Sequence, residues 1–281
     1  MRHDPDRYAV IGNPVGHSQS PRIHALFAAQ TAQALRYQAI LAPLDGFADT
    51  VQAFAAAGGR GVNITLPFKE QACRLATRLS PRAQAAGAVN TLRFDADGIF
   101  GDNTDGAGLV RDITHNLGRS IAGQRLLLLG AGGAARGVLL PLLLELPAQL
   151  VIANRSKEKA QHLAKEFGQL ALPAELRACA LNELVGLSFD LVINATSAGL
   201  SGAALDIPVG LYAPNCLAYD MVYGAQTPFM AQARQAGAQV AEGLGMLVEQ
   251  AAEAFLLWRG VRPDTASVLG QLRQLQEPRG I

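Results

Sequence analysis

Runs of apolar residues alternate along this chain with segments of helical periodicity, and this alternation predicts an α/β fold. The four leucines at 126–129 are typical of a strand that is buried on both faces, as strands of parallel sheets are. Similar runs at Tyr8–Gly12, Leu150–Ala153 and Phe189–Thr196 predict further strands. Because helical segments separate these strands, we expect parallel pairing through crossover helices.

The leucine strand leads into the turn Gly130-Ala131-Gly132-Gly133-Ala134, and a helical segment follows as far as Glu145. Strand, glycine-rich turn and helix in this order are typical of a dinucleotide-binding unit. Gly130 permits a tight turn, and Gly132 allows the backbone to approach a pyrophosphate at the helix N-terminus. A glycine-rich turn without a ligand is the alternative, but the strand at Leu150–Ala153 supplies the expected context. We therefore predict that residues 130–134 contact a dinucleotide.

The residues after the second strand of this unit distinguish NAD from NADP. An NAD site usually has Asp or Glu there, which accepts hydrogen bonds from the ribose 2′-hydroxyl. This chain has Asn154, Arg155 and Ser156, with Lys157 and Lys159 close behind. Because Arg binds a 2′-phosphate bidentately and a carboxylate repels one, we predict NADP as the cofactor and these five residues as its contacts. The two lysines could equally belong to a solvated helical turn, so Arg155 is the main candidate.

A second group of polar residues lies in the first third of the chain. Asn63 and Thr65 share one face of the predicted strand 62–67, because side chains alternate along a strand. Lys69 lies just beyond the end of that strand. Ligands bind at the carboxyl edge of parallel sheets, so these three side chains could converge on one small polar molecule. An exposed helical lysine is the alternative for Lys69.

Several other candidates also have a purely structural interpretation. Ser18 and Ser20 offer two hydroxyls in one loop, but Ser20 precedes a proline and could cap the next helix. Asp105 could likewise cap the helix that follows it. His17 and His24 have no nucleophile beside them, and we favour a structural role for both.

Composition and charge narrow the possible partners. A chain of 281 residues is long enough for two domains, and a formal net charge of +1 gives no electrostatic reason to expect nucleic acid or a membrane. The most apolar run, 138–146, is shorter than a bilayer span, and the charged N-terminus is not typical of a signal peptide. Cys73, Cys179 and Cys216 have no paired spacing, which indicates a reducing compartment rather than disulfides or zinc. We therefore expect a cytoplasmic protein.

Motifs distributed over almost the whole chain occur in the order found in one enzyme family. They are Asn13-Pro14, Ser18-x-Ser20-Pro21, Asn63-x-Thr65-x-Pro67-x-Lys69, Gly87-Ala88-Val89-Asn90-Thr91, Gly101-Asp102-Asn103-Thr104-Asp105-Gly106, Gly130-Ala131-Gly132-Gly133-Ala134, Asn154-Arg155-Ser156 and Gln250. With these motifs the chain resembles the shikimate dehydrogenase family. The resemblance implies NADPH-dependent, reversible reduction of 3-dehydroshikimate to shikimate. It also implies a substrate domain of α/β class that C-terminal helices complete (1–106 plus 245–281) and a Rossmann-type NADP-binding domain (107–244).

The resemblance further implies roles for single residues. Lys69 would be the catalytic acid/base, and Asp105 would share the proton transfer with it. Met221 and Gly243 would lie near the nicotinamide, which carries the hydride, so that we expect no metal. One departure is Ser80-Pro81-Arg82, where an acidic residue is more usual and a minor contact would change. The implied substrate contacts are Ser18, Ser20, Thr65, Asn90, Asp105, Tyr223 and Gln250.

Three alternatives stay open at this point. A quinate/shikimate dehydrogenase that also uses NAD is the nearest, and the basic residues after Asn154 argue against it. A non-catalytic NADP(H)-sensing protein would be favoured by loss of Lys69 or Asp105, but both are present. A bare dinucleotide-binding module leaves the motifs of the first third unexplained. We expect a small-molecule substrate, neither nucleic acid nor a membrane as partner, and a monomer or homodimer.

Overall fold

The computed structural model describes residues 4–170 and 172–276. The chain divides into two compact units, the first comprising residues 1–108 with 247–281 and the second residues 109–246. The chain passes between the units inside two helices, Asp105–Arg111 and Leu244–Arg259. The predicted boundaries after residues 106 and 244 lie two residues before the two points at which the units divide, and the domain assignment stays a prediction.

The elements follow in chain order. The strands are β1 (Asp6–Gly12), β2 (Leu35–Leu41), β3 (Gly59–Ile64), β4 (Arg78–Leu79), β5 (Thr91–Asp95), β6 (Gly98–Asp102), β7 (Arg125–Leu129), β8 (Gln149–Asn154), β9 (Glu175–Ala180), β10 (Phe189–Asn194), β11 (Tyr212–Asp220) and β12 (Gln239–Glu242). The α-helices are α1 (Ser20–Gln30), α2 (Phe47–Ala56), α3 (Lys69–Leu75), α4 (Pro81–Ala86), α5 (Asp105–Arg111), α6 (Gly133–Leu144), α7 (Lys157–Gly168), α8 (Pro228–Gln235), α9 (Leu244–Arg259) and α10 (Thr265–Gln276). A π-helical turn, Asp112–Asn116, continues α5, and 3-10 turns cover Leu181–Leu184, Ala198–Ser201 and Val209–Leu211.

The sheet of the first unit is mixed. Its strand order is β2-β1-β3-β5-β6-β4, in which β1 is parallel to β2 and β3, and β5 is antiparallel to β3 and β6. Ile11 of β1 pairs with Ile64 of β3, so these two parallel strands end at one edge. Phe47, Val62 and Phe68 pack in the core against this sheet. The loop after β1 and the residues after β3 therefore share an edge, as the sequence pattern predicts for a ligand site.

The sheet of the second unit is parallel throughout, with strand order β12-β11-β10-β7-β8-β9. Residues 126–129 of β7 are fully buried in the middle of this sheet, with β8 on one side and β10 on the other. The predicted α/β class with a Rossmann-type domain is thereby confirmed. Among the described helices, none has the length and apolar character needed to cross a bilayer.

Two short elements of the structure were not predicted. The first is the helix α4, which Gly87 ends in a left-handed conformation with φ of 60° before the strand β5 begins at Thr91. Ser80 caps this helix by accepting a hydrogen bond from Ala83 N–H at 3.1 Å. The second is the edge strand β9, which pairs with β8 alone among the described strands. Its polar residues Glu175 and Arg177 interrupt the apolar ones, so it lacks the apolar run that predicts the buried strands.

Candidate active site

Lys69 and Asp105, the predicted catalytic residues, form an ion pair in the first unit. Lys69 Nζ lies 2.6 Å from Asp105 Oδ2, and the two side chains are 29% and 15% exposed. Lys69 is the first residue of α3, and Asp105 is the first residue of α5. A helix dipole stabilises a carboxylate at that position and disfavours an ammonium. The contact with Asp105 therefore compensates for the unfavourable place of the lysine, and both groups stay accessible to a small molecule.

Asn90 binds the other oxygen of the Asp105 carboxylate. Its Nδ2 donates to Asp105 Oδ1 at 2.8 Å and to Thr104 Oγ1 at 2.9 Å. Gln250 on α9 completes the group, because its Oε1 lies 3.4 Å from both Asn90 Nδ2 and Thr104 Oγ1. Both oxygens of Asp105 thus have partners, and the structure brings the predicted residues Asn90 and Gln250 to the Lys69–Asp105 pair.

Thr65 lies between the end of β3 and the start of α3. Its N–H donates to Ile11 O at 3.0 Å, and its own carbonyl accepts from Phe68 N–H at 3.1 Å. A Cβ on Gly12 would come within 2.3 Å of Thr65 Cγ2, so a glycine at the end of β1 is required to leave room for this side chain. The turn after Thr65 leads directly to Lys69. Contact of the Thr65 hydroxyl with the substrate stays a prediction.

Ser18 and Ser20 bind the N-terminus of α1 differently from the arrangement that the sequence suggests. Ser20 lies inside the helix, Pro21 is in the first turn, and the N-cap residue Gln19 makes no side-chain cap hydrogen bond. Ser18 Oγ instead accepts from Ser20 N–H at 3.2 Å. The structural alternative for Ser20, capping of the helix, is therefore wrong, because the helix begins one residue earlier than that role requires and Ser18 supplies the acceptor. The Ser20 side chain is buried, and the substrate roles of both serines stay predictions.

His24 lies in an aromatic cluster of the first unit. Its ring stacks on Tyr37, with centroids 4.2 Å apart, and packs against Phe27, Phe255 and Trp258. Neither ring nitrogen makes a hydrogen bond within the part of the chain that the structure describes. Burial lowers the pKa of His24 to about 3, so the ring is neutral at physiological pH. His24 is therefore a residue of the core rather than a catalytic group.

The departure at Ser80-Pro81-Arg82 has a structural role in this chain. Arg82 Nε and Nη2 donate to the two oxygens of Asp102 at 2.8 Å and 2.6 Å, and Ser80 Oγ donates to Asp102 Oδ1 at 2.5 Å. Asp102 is the last residue of β6, and its Oδ1 also accepts from Asn103 N–H at 2.8 Å. The bidentate ion pair therefore anchors the strand end from which the chain continues to Asp105.

In the second unit, the predicted dinucleotide turn ends in an open helix N-terminus. Gly130 has φ of 108°, and a Cβ there would lie 3.2 Å from Ala195 O, so the turn after β7 requires glycine. Gly132 is the N-cap of the 12-residue helix α6 and provides no side-chain cap. A Cβ on Gly132 or Gly133 would meet no other atom of the described residues within 4 Å. Residues 130–134 therefore fit the pyrophosphate of a dinucleotide, with free space and unsatisfied N–H groups.

The basic residues after β8 differ in their contacts. Arg155 is exposed and makes no hydrogen bond or ion pair with any residue in 4–170 or 172–276. Lys157 Nζ donates to Glu183 Oε1 at 2.6 Å, and this hydrogen bond raises the pKa of Lys157. Lys159 is exposed. Arg155 is thus available to a 2′-phosphate, whereas Lys157 would have to leave Glu183 first.

Asn154 and Ser156 shape the turn that carries Arg155. Asn154 Nδ2 donates to Ser156 O at 2.9 Å. Ser156 is the N-cap of α7, but its hydroxyl donates to Glu158 Oε2 at 2.8 Å instead of capping the helix. These side chains hold the turn, and their direct contact with a cofactor stays a prediction.

Met221 and Gly243 lie together at the ends of β11 and β12. Met221 N–H donates to Asn194 O at 3.1 Å, and Gly243 N–H donates to Val222 O at 3.0 Å. A Cβ on Gly243 would come within 2.3 Å of Met221 O, so this close backbone approach requires glycine. Tyr223 follows in the same segment; it is half-buried, and burial raises its pKa. The roles of Met221, Gly243 and Tyr223 stay predictions.

Three family models match the chain. The shikimate dehydrogenase substrate binding domain matches residues 10–92, and the shikimate / quinate 5-dehydrogenase model matches residues 112–201. The shikimate 5'-dehydrogenase C-terminal domain matches residues 243–273. The first and third models thus fall in the first unit, apart from a few residues at the second junction, and the other falls in the second unit.

Curated relatives and solved structures agree with these models. A shikimate dehydrogenase (NADP(+)) of Aromatoleum aromaticum is 65% identical over 271 residues, which cover 96% of this chain and 97% of that protein. The structure of an Ael1 enzyme from Pseudomonas putida is 50% identical with a TM-score of 0.89, over 95% of this chain and 98% of the other. Shikimate 5-dehydrogenase from Thermus thermophilus, in complex with NADP(H) and shikimate, is 34% identical with a TM-score of 0.84, over 96% and 99%. This chain belongs to the shikimate dehydrogenase family.

Proposed function

We propose that this enzyme catalyses the reversible, NADPH-dependent reduction of 3-dehydroshikimate to shikimate. The observation that carries the proposal is the accessible Lys69–Asp105 ion pair, 2.6 Å long, with the amides of Asn90 and Gln250 beside it. This arrangement occurs in a chain that is 65% identical to an NADP-dependent shikimate dehydrogenase. The enzyme is thus an oxidoreductase, and its reaction supplies the shikimate pathway.

Oxidation of a secondary alcohol releases a hydride from carbon and a proton from oxygen. When bound, the nicotinamide of NADP accepts the hydride and returns it in the reverse direction. Lys69 takes or supplies the proton at the substrate oxygen. Asp105 orients the nitrogen of Lys69 through the 2.6 Å contact, so that the proton transfer belongs to the pair.

The remaining polar residues of the first unit are suited to hold a small, hydroxylated carboxylic acid. Asn90 and Gln250 can bind ring hydroxyls, because amides both donate and accept. The hydroxyls of Ser18, Ser20 and Thr65 can donate to a carboxylate. Their places at the loop after β1 and at the end of β3 support this division of roles.

NADP is the cofactor, as the sequence predicts. The relatives at 55–65% identity carry NADP(+) in their names, and the end of β8 presents Arg155 where an NAD site has a carboxylate. In this chain the open N-terminus of α6 can bind the pyrophosphate, and Arg155 can bind the 2′-phosphate.

The assay that tests the proposal follows NADPH formation from shikimate. Parallel reactions replace shikimate with quinate, and NADP with NAD. We expect the highest kcat/KM with shikimate and NADP. Equal activity with quinate would favour the broader specificity that the name of the shikimate / quinate family model includes. Absence of activity with every pair would contradict the proposal.

We also propose that the enzyme works in the cytoplasm as a monomer or homodimer. Its three cysteines are free, which is typical of a reducing compartment. Fractionation of cells followed by sedimentation of the purified enzyme would test both statements. Activity in the periplasmic fraction, or a larger assembly, would contradict them.

A further inference from the structure

A row of hydrogen bonds in the first unit connects Tyr37 to Asp105. Tyr37 Oη lies 2.7 Å from Asn63 Oδ1, and Asn63 Nδ2 lies 2.9 Å from Thr91 Oγ1. Thr91 Oγ1 lies 3.0 Å from Asn90 Oδ1, and Asn90 Nδ2 lies 2.8 Å from Asp105 Oδ1. Thr91 is fully buried, and Asn63 and Asn90 are almost so. We call this row the Tyr37–Asp105 chain.

Backbone groups fix the direction of the bonds at two places. Asn63 Nδ2 also donates to the Asn90 carbonyl at 3.2 Å, and a carbonyl only accepts. The oxygen of the Asn63 amide must therefore face Tyr37, which donates. Thr104 N–H donates to Asn90 Oδ1 at 2.8 Å, and an N–H only donates. The nitrogen of the Asn90 amide must therefore face Asp105.

The Thr91 hydroxyl stands between these two amides and matches both. A hydroxyl has one hydrogen and can accept as well as donate. It accepts from Asn63 Nδ2 and gives its hydrogen to Asn90 Oδ1. Valine has the same shape but can do neither, whereas serine can do both. Thr91 is thus the member of the Tyr37–Asp105 chain whose hydrogen-bonding group can be removed with the least change in side-chain volume.

Tyr37, at the far end of the Tyr37–Asp105 chain, is a rigid and neutral hydrogen-bond donor. Burial raises the pKa of Tyr37 well above its usual value, so the phenol keeps its hydrogen. The stacked ring of His24, 4.2 Å away between centroids, holds the Tyr37 ring in place. His24 is itself uncharged and does not add a charge to this end of the chain.

We propose that Thr91 and Tyr37 are positioning residues for the reaction, because their hydroxyls hold the Asn90 amide in the orientation in which it donates to Asp105. Hydrogen bonds that all donate in one direction reinforce one another. With one oxygen of Asp105 fixed by Asn90, the other oxygen faces Lys69. This inference rests on the proposed function of the Lys69–Asp105 pair.

The first test compares Thr91→Val with Thr91→Ser in shikimate oxidation by NADP. We expect Thr91→Val to lower kcat about tenfold, the size of a coupling between neighbouring polar groups, with KM for NADP changed less than about twofold. Thr91→Ser should keep at least about half of kcat, because it keeps the hydroxyl. The matched control is Thr50→Val on α2, which removes a threonine hydroxyl that donates to Gly46 O and should leave kcat unchanged.

The second test is a double-mutant cycle with Tyr37→Phe. Alone, Tyr37→Phe should lower kcat about threefold, because the lost hydroxyl acts through two intermediates. In the Thr91→Val background the same change should have no further effect on kcat, because the connection is already broken. If the two effects multiply, the residues act independently and the chain does not position Asn90.

The outcomes separate this inference from the proposed function. An inactive wild-type enzyme contradicts the proposed function itself. An active wild type whose kcat Thr91→Val leaves unchanged overturns the positioning role. Equal losses in Thr91→Val and Thr91→Ser also overturn it, since packing and not the hydroxyl would then matter. If Thr91→Val does not fold, Tyr37→Phe decides alone: unchanged kcat contradicts the inference, and lowered kcat with unchanged KM for NADP supports it.

Discussion

The two units present their candidate sites in different ways. In the first unit the site consists of side chains that bind one another: Lys69 with Asp105, Asp105 with Asn90, and Asn90 with Gln250. In the second unit it consists of backbone and free space, at the open N-terminus of α6 and the turn around Gly130. The first arrangement is suited to proton transfer, and the second is suited to binding an anion of fixed shape.

This difference determines which kind of substitution each site tolerates. In the first unit, a change that keeps volume but removes one polar atom alters the chemistry and leaves the fold. In the second unit, a change that adds a single methyl group alters binding and leaves the chemistry. The two sites should therefore respond in different kinetic parameters.

The largest effect is expected from Lys69→Ala. Loss of one general acid/base should lower kcat by about two to four orders of magnitude, while KM for shikimate and for NADP changes little. Steady-state kinetics at saturating substrates measures this, with Lys165→Ala as an exposed-lysine control. A rise in KM with unchanged kcat would assign Lys69 to binding instead.

Arg155→Gln should affect the cofactor alone. Charge-assisted hydrogen bonds to a phosphate contribute about 1.5–3 kcal/mol, so KM for NADP should rise about ten- to a hundredfold with little change in kcat. Lys157→Gln is the matched comparison and should raise KM for NADP only about two- to threefold, since that amine already binds Glu183. Equal rises of KM for NADP in the two variants would show that Arg155 does not bind the 2′-phosphate more strongly than Lys157 does.

His24→Phe should alter the pH dependence of stability. The pKa of His24 is about 3 in the folded state, whereas its ordinary value is 6.5, so below pH 6.5 the unfolded chain binds a proton that the folded chain does not. Stability present above pH 6.5 is therefore lost as pH falls, by about 1.4 kcal/mol per unit, or about 2 kcal/mol between pH 6.5 and 5.

Chemical denaturation at several pH values measures this loss. The His24→Phe protein should lack it, whereas His162→Gln, at an exposed position, should keep the wild-type slope. Contributions from all other groups are common to these proteins and cancel in the comparison. A wild-type slope in His24→Phe would show that His24 does not carry the acid sensitivity.

Gly132→Ala should give the smallest effect, and a selective one. Its Cβ meets no other atom of the described residues within 4 Å, so the unfolding midpoint should not change. The same Cβ would stand where a pyrophosphate approaches, and KM for NADP should rise about tenfold, or about 1.4 kcal/mol. Gly130→Ala is the contrasting variant and should lose about 1–2 kcal/mol of stability, because φ of 108° disfavours alanine. Unchanged KM in Gly132→Ala would place the cofactor elsewhere.

The cofactor unit was the more predictable of the two from sequence. Its buried leucines, its glycine turn and the residues after β8 are contiguous, and local backbone requirements determine them. What the sequence could not give is the pairing of Lys157 with Glu183, because the two residues lie on different elements, α7 and the turn that follows β9.

The substrate unit was predictable in its polar residues but not in their connections. Lys69 and Asp105 could be named, but Tyr37 and Thr91 were not singled out, since a tyrosine and a threonine in strands are ordinary β-formers. Only the sheet pairing of β3 with β5, which places Asn63 opposite Thr91, creates the Tyr37–Asp105 chain. Such connections depend on tertiary register, which local sequence patterns do not contain.

The most direct test of the account is a double-mutant cycle in kcat with Lys69→Ala and Asp105→Asn. When two groups act as one unit in proton transfer, removing either group abolishes the contribution of both to kcat. We predict that the double variant oxidises shikimate about as slowly as Lys69→Ala alone, with KM for NADP unchanged in all three variants. Two losses that multiply in the double variant would contradict the account, because the amine and the carboxylate would then act separately.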